Sequence, residues 1–131
     1  YYYSVYGPRE ADYGPYSTVI RRFKQRLQNK ESLEIFGNGS KKRDFTFVKD
    51  VVRNMMRMIE DDKIMSGEIS EVHFGRGKPV SILDIAKAFD HPFVYKFDLP
   101  GEAQTTHCLT PYGEYECEVL DYITVWRKYS G

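Results

Sequence analysis

The chain has 131 residues, about one domain's worth, and its 19 Lys and Arg balance its 19 Asp and Glu, so the formal net charge is zero. Hydrophobic residues make up 41% and charged residues 29%, which excludes a disordered tail, a collagen-like repeat and a strongly basic nucleic-acid arm. We find no apolar run of membrane-spanning length and no secretory signal pattern. Two cysteines are too few for a disulfide scaffold, so we expect a reduced, cytoplasmic setting.

The first six residues are β-prone and mostly apolar, and Gly7-Pro8 ends them, so they predict a strand. Natural chain ends are usually frayed and polar, whereas this chain opens with Tyr1-Tyr2-Tyr3. We therefore expect the chain to begin inside a structural element. An unpaired strand edge can recruit another chain, which predicts a homodimer with this strand near the interface.

Residues 7–16 carry Gly, Pro, Asp and Tyr and predict a loop. Beyond them, apolar residues recur at helical spacing, which predicts a helix at about residues 17–29 with Ser17 as its N-cap. A short strand is predicted at residues 33–36.

The segment Gly37-Asn38-Gly39-Ser40 is a turn signal, since Asn and Gly tolerate positive φ, and residues 41–46 are the candidate return strand. Helical spacing predicts the next helix at about residues 48–61, and we interpret its methionines Met55, Met56 and Met58 as core filling.

The second half of the chain continues the alternation of strands and helices. The predicted elements are a strand within residues 67–75, a helix at residues 82–89 capped by Ser81, a strand at residues 93–97, a loop at about residues 100–117 and a final helix from Val119. The pattern predicts an α/β fold class, in the form of a small mixed α/β domain over residues 1–131.

The sequence contains no G-x-S-x-G, H-E-x-x-H, Walker A or G-x-G-x-x-G motif. His73 and His91 are scattered, and we interpret His107 and the adjacent Cys108 as structural. A better candidate is the glycine turn followed by three cations, where Arg43 could give a diphosphate a planar two-pronged donor. The alternative is a solvated hairpin with ordinary surface cations.

Several collinear segments resemble a known family. Residues 36–51, Phe-Gly-Asn-Gly-Ser-Lys-Lys-Arg-Asp-Phe-Thr-Phe-Val-Lys-Asp-Val, resemble the F/Y-G-D-G-x-Q-x-R-D-F-x-Y-V-x-D-V stretch of NAD-dependent nucleotide-sugar epimerases and dehydratases, which are extended short-chain dehydrogenases/reductases (SDRs). Further similar segments are residues 3–9 (F-N-V-Y-G-P-R), 16–23 (Y-S-x-V-I-x-x-F), 67–68 followed by 75–82 (G-E, then G-x-G-x-x-x-S-I) and 99–102 (R-P-G-E).

The resemblance implies a division of labour. In the family an N-terminal Rossmann domain binds NAD or NADP and carries a Tyr-x-x-x-Lys catalytic pair, and the C-terminal portion binds the nucleotide-sugar. This chain resembles the C-terminal portion, with residues 1–6 as a leftover late strand of the Rossmann sheet and the NAD-binding domain as a missing or separate partner. The sequence lacks the glycine-rich loop and the catalytic pair, so the resemblance implies no catalytic, cofactor or metal residue here and leaves enzyme activity uncertain.

The resemblance also implies substrate contacts. Arg43 would clamp the diphosphate, and Ile35, Phe36 and Gly37 would line the nucleobase pocket, largely through backbone groups. Ser4 stands where the family has an Asn that contacts the sugar diphosphate.

A sharper departure lies at Leu99, which replaces a second phosphate-binding Arg of the family. Losing one charge-assisted contact costs roughly 1.5–3 kcal/mol, and Gln104 and Thr105 are candidates to compensate for part of it.

The sequence thus predicts the nucleotide-diphosphate-sugar-binding portion of an NAD-dependent sugar epimerase or dehydratase, which is not catalytically competent alone. The alternative is a non-catalytic fold remnant or a self-associating interaction module. Nucleic-acid and membrane partners are not expected, because the net charge is zero and the basic helix face is of the ordinary solvated kind.

Overall fold

The computed structural model describes residues 1–10 and 18–130. Its strands and helices alternate along the chain, and the strands are short. In chain order the elements are β1 (Val5–Tyr6), α1 (Val19–Gln28), β2 (Leu33–Phe36), β3 (Lys42–Arg43), β4 (Thr46–Phe47), α2 (Val48–Ile59), α3 (Asp62–Met65), β5 (Val80–Ser81), α4 (Ile82–Ala88), β6 (Phe93–Lys96), β7 (Thr105–Thr106) and α5 (Val119–Ser130). The predicted α/β class is confirmed.

The described strands form three small sheets in which most neighbours are parallel. β1 pairs with β4, and β2 pairs with β6, both in parallel. In the third sheet β3 lies between β5, to which it is antiparallel, and β7, to which it is parallel. Parallel neighbours need a long connection, so each sheet joins residues that are far apart in the chain.

The core lies between β2 and the helices α1, α4 and α5. Along β2 the side chains alternate: Leu33 and Ile35 are fully buried, whereas Glu34 and Phe36 are half-buried on the other face. Aromatic contacts join the helices, because the Phe89 ring lies edge-on to Phe23 of α1 at 5.8 Å and to Trp126 of α5 at 5.7 Å. This packing buries one face of β2 and leaves the opposite face half-buried.

Apolar periodicity predicted the major helices correctly. Helix α1 begins one residue beyond a Thr18 cap, whose hydroxyl oxygen accepts the N–H of Arg21. Ser17, the predicted cap, lies outside the described residues. The predicted Ser81 cap of α4 is confirmed, since its side chain accepts the N–H of Asp84. The structure also contains the one-turn helix α3, which had not been predicted.

The predicted return strand at residues 41–46 is wrong. The chain makes two separate two-residue strands there, β3 and β4, which belong to different sheets, and neither pairs with β2. The turn at residues 37–40 therefore leads the chain away from β2 and into a second sheet. β2 instead takes its partner from β6, with Leu33 opposite Phe93.

The predicted strand at residues 1–6 is divided. Ser4 has a φ of +32°, a left-handed conformation that interrupts extended backbone, so β1 contains only Val5 and Tyr6. Tyr2 forms a single bridge to Phe74, and His73 forms another to Pro111, which is all the pairing shown by the predicted strand at residues 67–75. Residues 1–6 thus pair with Phe74 and with β4, whereas an unpaired strand was expected.

The interpretation of the α2 methionines as core is wrong for Met55 and Met56, whereas Met58 is half-buried. Met55 is 41% exposed and Met56 is 67% exposed. The buried face of α2 is formed by Asp50, Val51 and Asn54, so the rest of its apolar stripe faces outward. None of the helices in the described part of the chain is long and apolar enough to cross a membrane.

Candidate functional site

A cavity of about 170 Å³ opens beside the half-buried face of β2, at the junction of the sheets. It is walled by a mixture of aromatic, aliphatic and charged side chains from separate parts of the chain. These are Ser4, Thr18, Val19, Arg22, Glu34, Phe36, Lys41, Arg43, Phe45, Ile82, Leu99 and Glu102.

Strand alternation explains why these residues meet. Glu34 and Phe36 lie on the face of β2 opposite the core, and Lys41, Arg43 and Phe45 follow at every second position of the next segment. In extended backbone, every second side chain points to the same side. The cavity is therefore lined by alternate residues of β2 and by alternate residues of the segment at residues 41–45.

The structure brings three of the five predicted site residues together, since Ser4, Phe36 and Arg43 all line the cavity. The side chain of Ile35 lies in the core with no exposed area. Gly37 ends β2 with a φ of +81°, and a Cβ there would lie 3.1 Å from the carboxyl carbon of Asp98. The role of all five in binding a ligand stays a prediction.

The charged groups of the cavity form a small network. The Lys41 ammonium donates to the carboxylate of Asp98 and, at 3.2 Å, to that of Glu102. An Nη atom of Arg43 lies 3.9 Å from the same Glu102 oxygen, and its other Nη donates to the carbonyl of Lys42 at 2.8 Å. Glu102 thus sits between two cations.

The hydrogen bond between Lys41 and Asp98 favours the charged form of both partners. It raises the pKa of Lys41 above its ordinary value and lowers the pKa of Asp98 below its own. Both groups are therefore ionised at neutral pH, and the cavity keeps its cations.

The glycine turn does not offer all its amides to a ligand. The N–H of Gly37 donates to the Lys96 carbonyl at 3.0 Å, and the N–H of Ser40 donates to the Asn38 side chain, also at 3.0 Å. Anion binding in this cavity would therefore depend on charged side chains more than on the turn.

Leu99, at the position where the resemblance implies a second phosphate-binding Arg, lies at the cavity. It has 38% of its surface exposed and offers no donor. Gln104 instead donates to the Ser40 hydroxyl at 3.0 Å, and Thr105 lies in β7, so neither is part of the cavity wall. Lys41 was not singled out from the sequence, although its same-parity spacing from Arg43 was a usable signal.

Two motif aspartates hold distant segments in place. Asp44 is fully buried, and its carboxylate accepts the backbone N–H groups of Arg76, Gly77 and Cys108 at 3.1, 2.7 and 2.9 Å. Asp50 accepts the N–H of Cys117 at 3.0 Å. Within the motif, Arg43 therefore lines the cavity, whereas the adjacent Asp44 holds the segments at residues 76–77 and 108 in place.

Burial raises the pKa of the Cys108 thiol, which disfavours the nucleophilic thiolate. No group of three or more His, Cys, Asp or Glu in residues 1–10 and 18–130 is placed to hold a metal ion.

Within the described part of the chain, the glycine turn at residues 37–40 does not fit the phosphate site of a dinucleotide cofactor. Such a site needs a glycine-rich turn between a strand and a helix, where helix N–H groups meet the pyrophosphate. The turn at residues 37–40 joins strands, and a Cβ at its Gly39 would lie 2.8 Å from Cβ of Leu83, so that glycine packs against α4. We assign no cofactor contact to the described residues.

Comparison with known proteins gives a consistent picture. The chain is 36% identical over 86 residues to a UDP-N-acetyl-alpha-D-glucosaminuronate decarboxylase of Bacillus cytotoxicus, a match that covers 66% of this chain and 25% of that protein. It is 31% identical over 106 residues to an uncharacterized UDP-glucose epimerase of Bacillus subtilis, covering 81% of this chain and 29% of that protein. The chain thus spans less than a third of the length of these relatives.

Solved structures agree with the sequence comparison. UDP-glucuronic acid 4-epimerase from Bacillus cereus, solved with UDP-glucuronic acid and NAD, superposes with a TM-score of 0.75 at 25% identity, over 98% of this chain and 43% of that one. The NAD dependent epimerase/dehydratase family matches residues 1–72, which is more than half of the 131 residues. The chain belongs to the NAD dependent epimerase/dehydratase family.

Proposed function

We propose that this chain is the nucleotide-diphosphate-sugar-binding portion of an NAD-dependent sugar epimerase or dehydratase. The observation that carries the proposal is the meeting of Ser4, Phe36 and Arg43, from three separate segments, on the wall of one cavity. The proposal includes the cytoplasmic setting expected from the two free cysteines.

Each of these residues has a chemical role in the proposal. The guanidinium of Arg43 grips the diphosphate, because its fork of donors matches two phosphate oxygens. The ring of Phe36 and the neighbouring backbone contact the nucleobase, and the short Ser4 side chain forms a hydrogen bond to the ligand through its hydroxyl. The cavity has a volume of about 170 Å³, below the roughly 300 Å³ or more that is usual for a drug-sized ligand. It would therefore hold the diphosphate and the adjoining atoms of the nucleotide-sugar, and the rest of the ligand would lie outside it.

The comparisons support a nucleoside diphosphate sugar as the ligand class. The names of the relatives refer to UDP-sugars, and the Bacillus cereus epimerase structure contains UDP-glucuronic acid. We therefore choose UDP-sugars as the first probes. Chemistry on the sugar is assigned to no residue of this chain, since the 131 residues contain no Tyr-x-x-x-Lys pair.

The test is calorimetric titration of the 131-residue chain with UDP-glucose, UDP-glucuronic acid and the corresponding GDP- and dTDP-sugars. We expect binding of at least one of them. Arg43→Ala should weaken that binding by about tenfold to a hundredfold, because it removes a charge-assisted contact worth roughly 1.5–3 kcal/mol.

Arg57→Ala is the matched control, because Arg57 is exposed on α2 and lies outside the cavity wall. It should leave the affinity unchanged. If no sugar nucleotide gives heat at millimolar concentration with either the wild type or Arg43→Ala, the proposed function is wrong.

A second candidate function is self-association, which an exposed apolar face favours. Val52, Met56 and Ile59 of α2 are 48%, 67% and 71% exposed, and Tyr2, which is 59% exposed, donates its hydroxyl to the Met55 sulfur at 3.9 Å. The face is therefore continuous with residues 1–6, where the sequence predicts a dimer interface.

Light scattering across a range of protein concentrations tests the predicted homodimer. We expect a dimer for the wild type and a monomer for Met56→Lys/Ile59→Lys, because two charges on an apolar interface cost binding energy. Val125→Lys on α5, also an exposed apolar position at 57%, is the control and should remain a dimer. A strictly monomeric wild type at high concentration refutes the interface.

A further inference from the structure

We propose that Lys41 is the second cation that grips the ligand's diphosphate, in place of the arginine whose position Leu99 occupies. This inference rests on the proposed function and deepens it, since it names the residue that compensates for the loss. The residues that the sequence had suggested for this role, Gln104 and Thr105, lie outside the cavity wall.

The contacts of Glu102 show that two cations can hold one anion here. A single oxygen of its carboxylate lies 3.2 Å from the Lys41 ammonium and 3.9 Å from the Arg43 guanidinium. An oxyanion placed at that point would be within reach of both cations. Glu102 therefore marks the position that a phosphate oxygen would take after displacing it.

The charges around the cavity favour this exchange. Three cations line it, Arg22, Lys41 and Arg43, against the two acids Glu34 and Glu102. Glu34 already has a cation outside the cavity, because Arg26 lies 3.4 Å from its carboxylate. The lining residues alone thus carry a net positive charge, and Asp98, which pairs with Lys41 from outside the wall, balances it until a diphosphate displaces that carboxylate.

The environment of Lys41 strengthens its contacts. Its side chain is only 12% exposed, whereas its partners Asp98 and Glu102 are 62% and 43% exposed. The ammonium is therefore held at the wall while the carboxylates can turn to solvent. Its neighbour Lys42 is exposed and points to the other side of the strand, away from the cavity.

The experiment compares three ligands by titration: UDP, UMP and inorganic pyrophosphate. The variants are Lys41→Gln, Lys42→Gln as the matched control, Lys41→Arg, and the double variant Lys41→Gln/Leu99→Arg. We expect Lys41→Gln to weaken UDP and pyrophosphate binding by about tenfold and UMP binding by less than about threefold. Lys41→Arg, which keeps the charge, and the double variant should restore binding to within about threefold of wild type.

The outcomes separate this inference from the proposed function. If UDP binds and Lys41→Gln matches both Lys42→Gln and wild type, Lys41 is not the second cation, while the proposed function stands. If pyrophosphate binding depends on Lys41 but neither UDP nor any sugar nucleotide binds, the proposed function is wrong and the role of Lys41 as a phosphate cation stands. A wild type that binds none of the three ligands overturns both. Circular dichroism of each variant ensures that lost binding is not lost folding, and Lys41→Arg tests the charge if Lys41→Gln does not fold.

Discussion

Asp44 illustrates how one residue supports the candidate site from behind. It adjoins Arg43 in sequence but is directed away from the cavity, where it accepts three backbone N–H groups of two other segments. A buried carboxylate is costly unless it is fully hydrogen-bonded, and this one is. It therefore fixes the segments at residues 76–77 and 108 relative to β3.

Asp44→Ala should be among the most destabilising substitutions in the chain. It leaves three N–H donors without their acceptor, that of buried Cys108 and those of half-buried Arg76 and Gly77. An unpaired buried donor costs about 1–3 kcal/mol and a half-buried one costs less, so we expect a loss of about 2–3 kcal/mol. Urea unfolding followed by circular dichroism measures it. Glu68→Ala, at an exposed carboxylate, should change stability by less than about 0.5 kcal/mol, and equal losses for the two variants would contradict the role given to Asp44.

Individual residues also show how much of the candidate site could be predicted from the sequence. Arg43 and Ser4 were found because they occupy motif positions whose family roles are understood, and both reach the cavity. Lys41 stands at a position where the motif has a different residue, so no role could be transferred to it. Its spacing of two residues from Arg43 could place it on the same side of the segment, but its contacts with Asp98 and Glu102, which lie far along the chain, could not be predicted from the sequence.

At the scale of elements, local signals were predictable and partners were not. The helices α1, α2, α4 and α5 follow from apolar periodicity and from caps such as Ser81, because these signals lie within a few residues of each other. Strand pairing was mispredicted at residues 41–46, since a glycine turn favours a hairpin locally. The actual partners of β3, namely β5 and β7, depend on packing over long sequence distances.

The side of α2 that faces inward could not be predicted from its apolar periodicity either. Its apolar spacing indicated a buried stripe, yet the buried face carries Asp50 and Asn54. Asn54 donates to the Glu114 carbonyl at 2.8 Å and its carbonyl oxygen accepts the Glu114 N–H at 3.2 Å. Polar contacts with the late loop therefore decide which side of the helix faces inward.

For the molecule as a whole, three tyrosines, one buried and two half-buried, contribute to the dependence of stability on pH at high pH. Burial raises the pKa of Tyr115 to about 12 and that of Tyr122 to about 12, and it raises the pKa of Tyr6 as well. In the unfolded chain a tyrosine ionises near pH 10. The folded state thus holds protons that the unfolded state has lost, so the stabilisation is complete below pH 10 and is lost as pH rises towards 12.

We therefore expect the free energy of unfolding to fall from pH 10 to pH 12, measured by urea titration at each pH. Tyr115→Phe should make this decline shallower, because phenylalanine cannot ionise. Tyr129→Phe is the control, since that side chain is 78% exposed and should keep the wild-type slope. A Tyr115→Phe slope as steep as that of wild type would show that this tyrosine does not govern the decline.

The long spans of the strand pairs have a consequence for synthesis on the ribosome. Leu33 can pair only after Phe93 has been synthesised, and Lys42 only after Thr105, about 60 residues later in each case. The chain emerges from the ribosome at about 5–20 residues per second. During those seconds the nascent polypeptide exposes apolar strand edges that nothing yet covers. Because the cavity is built from distant segments, there is an interval in which those edges are exposed, and a chaperone that shields them would matter most then.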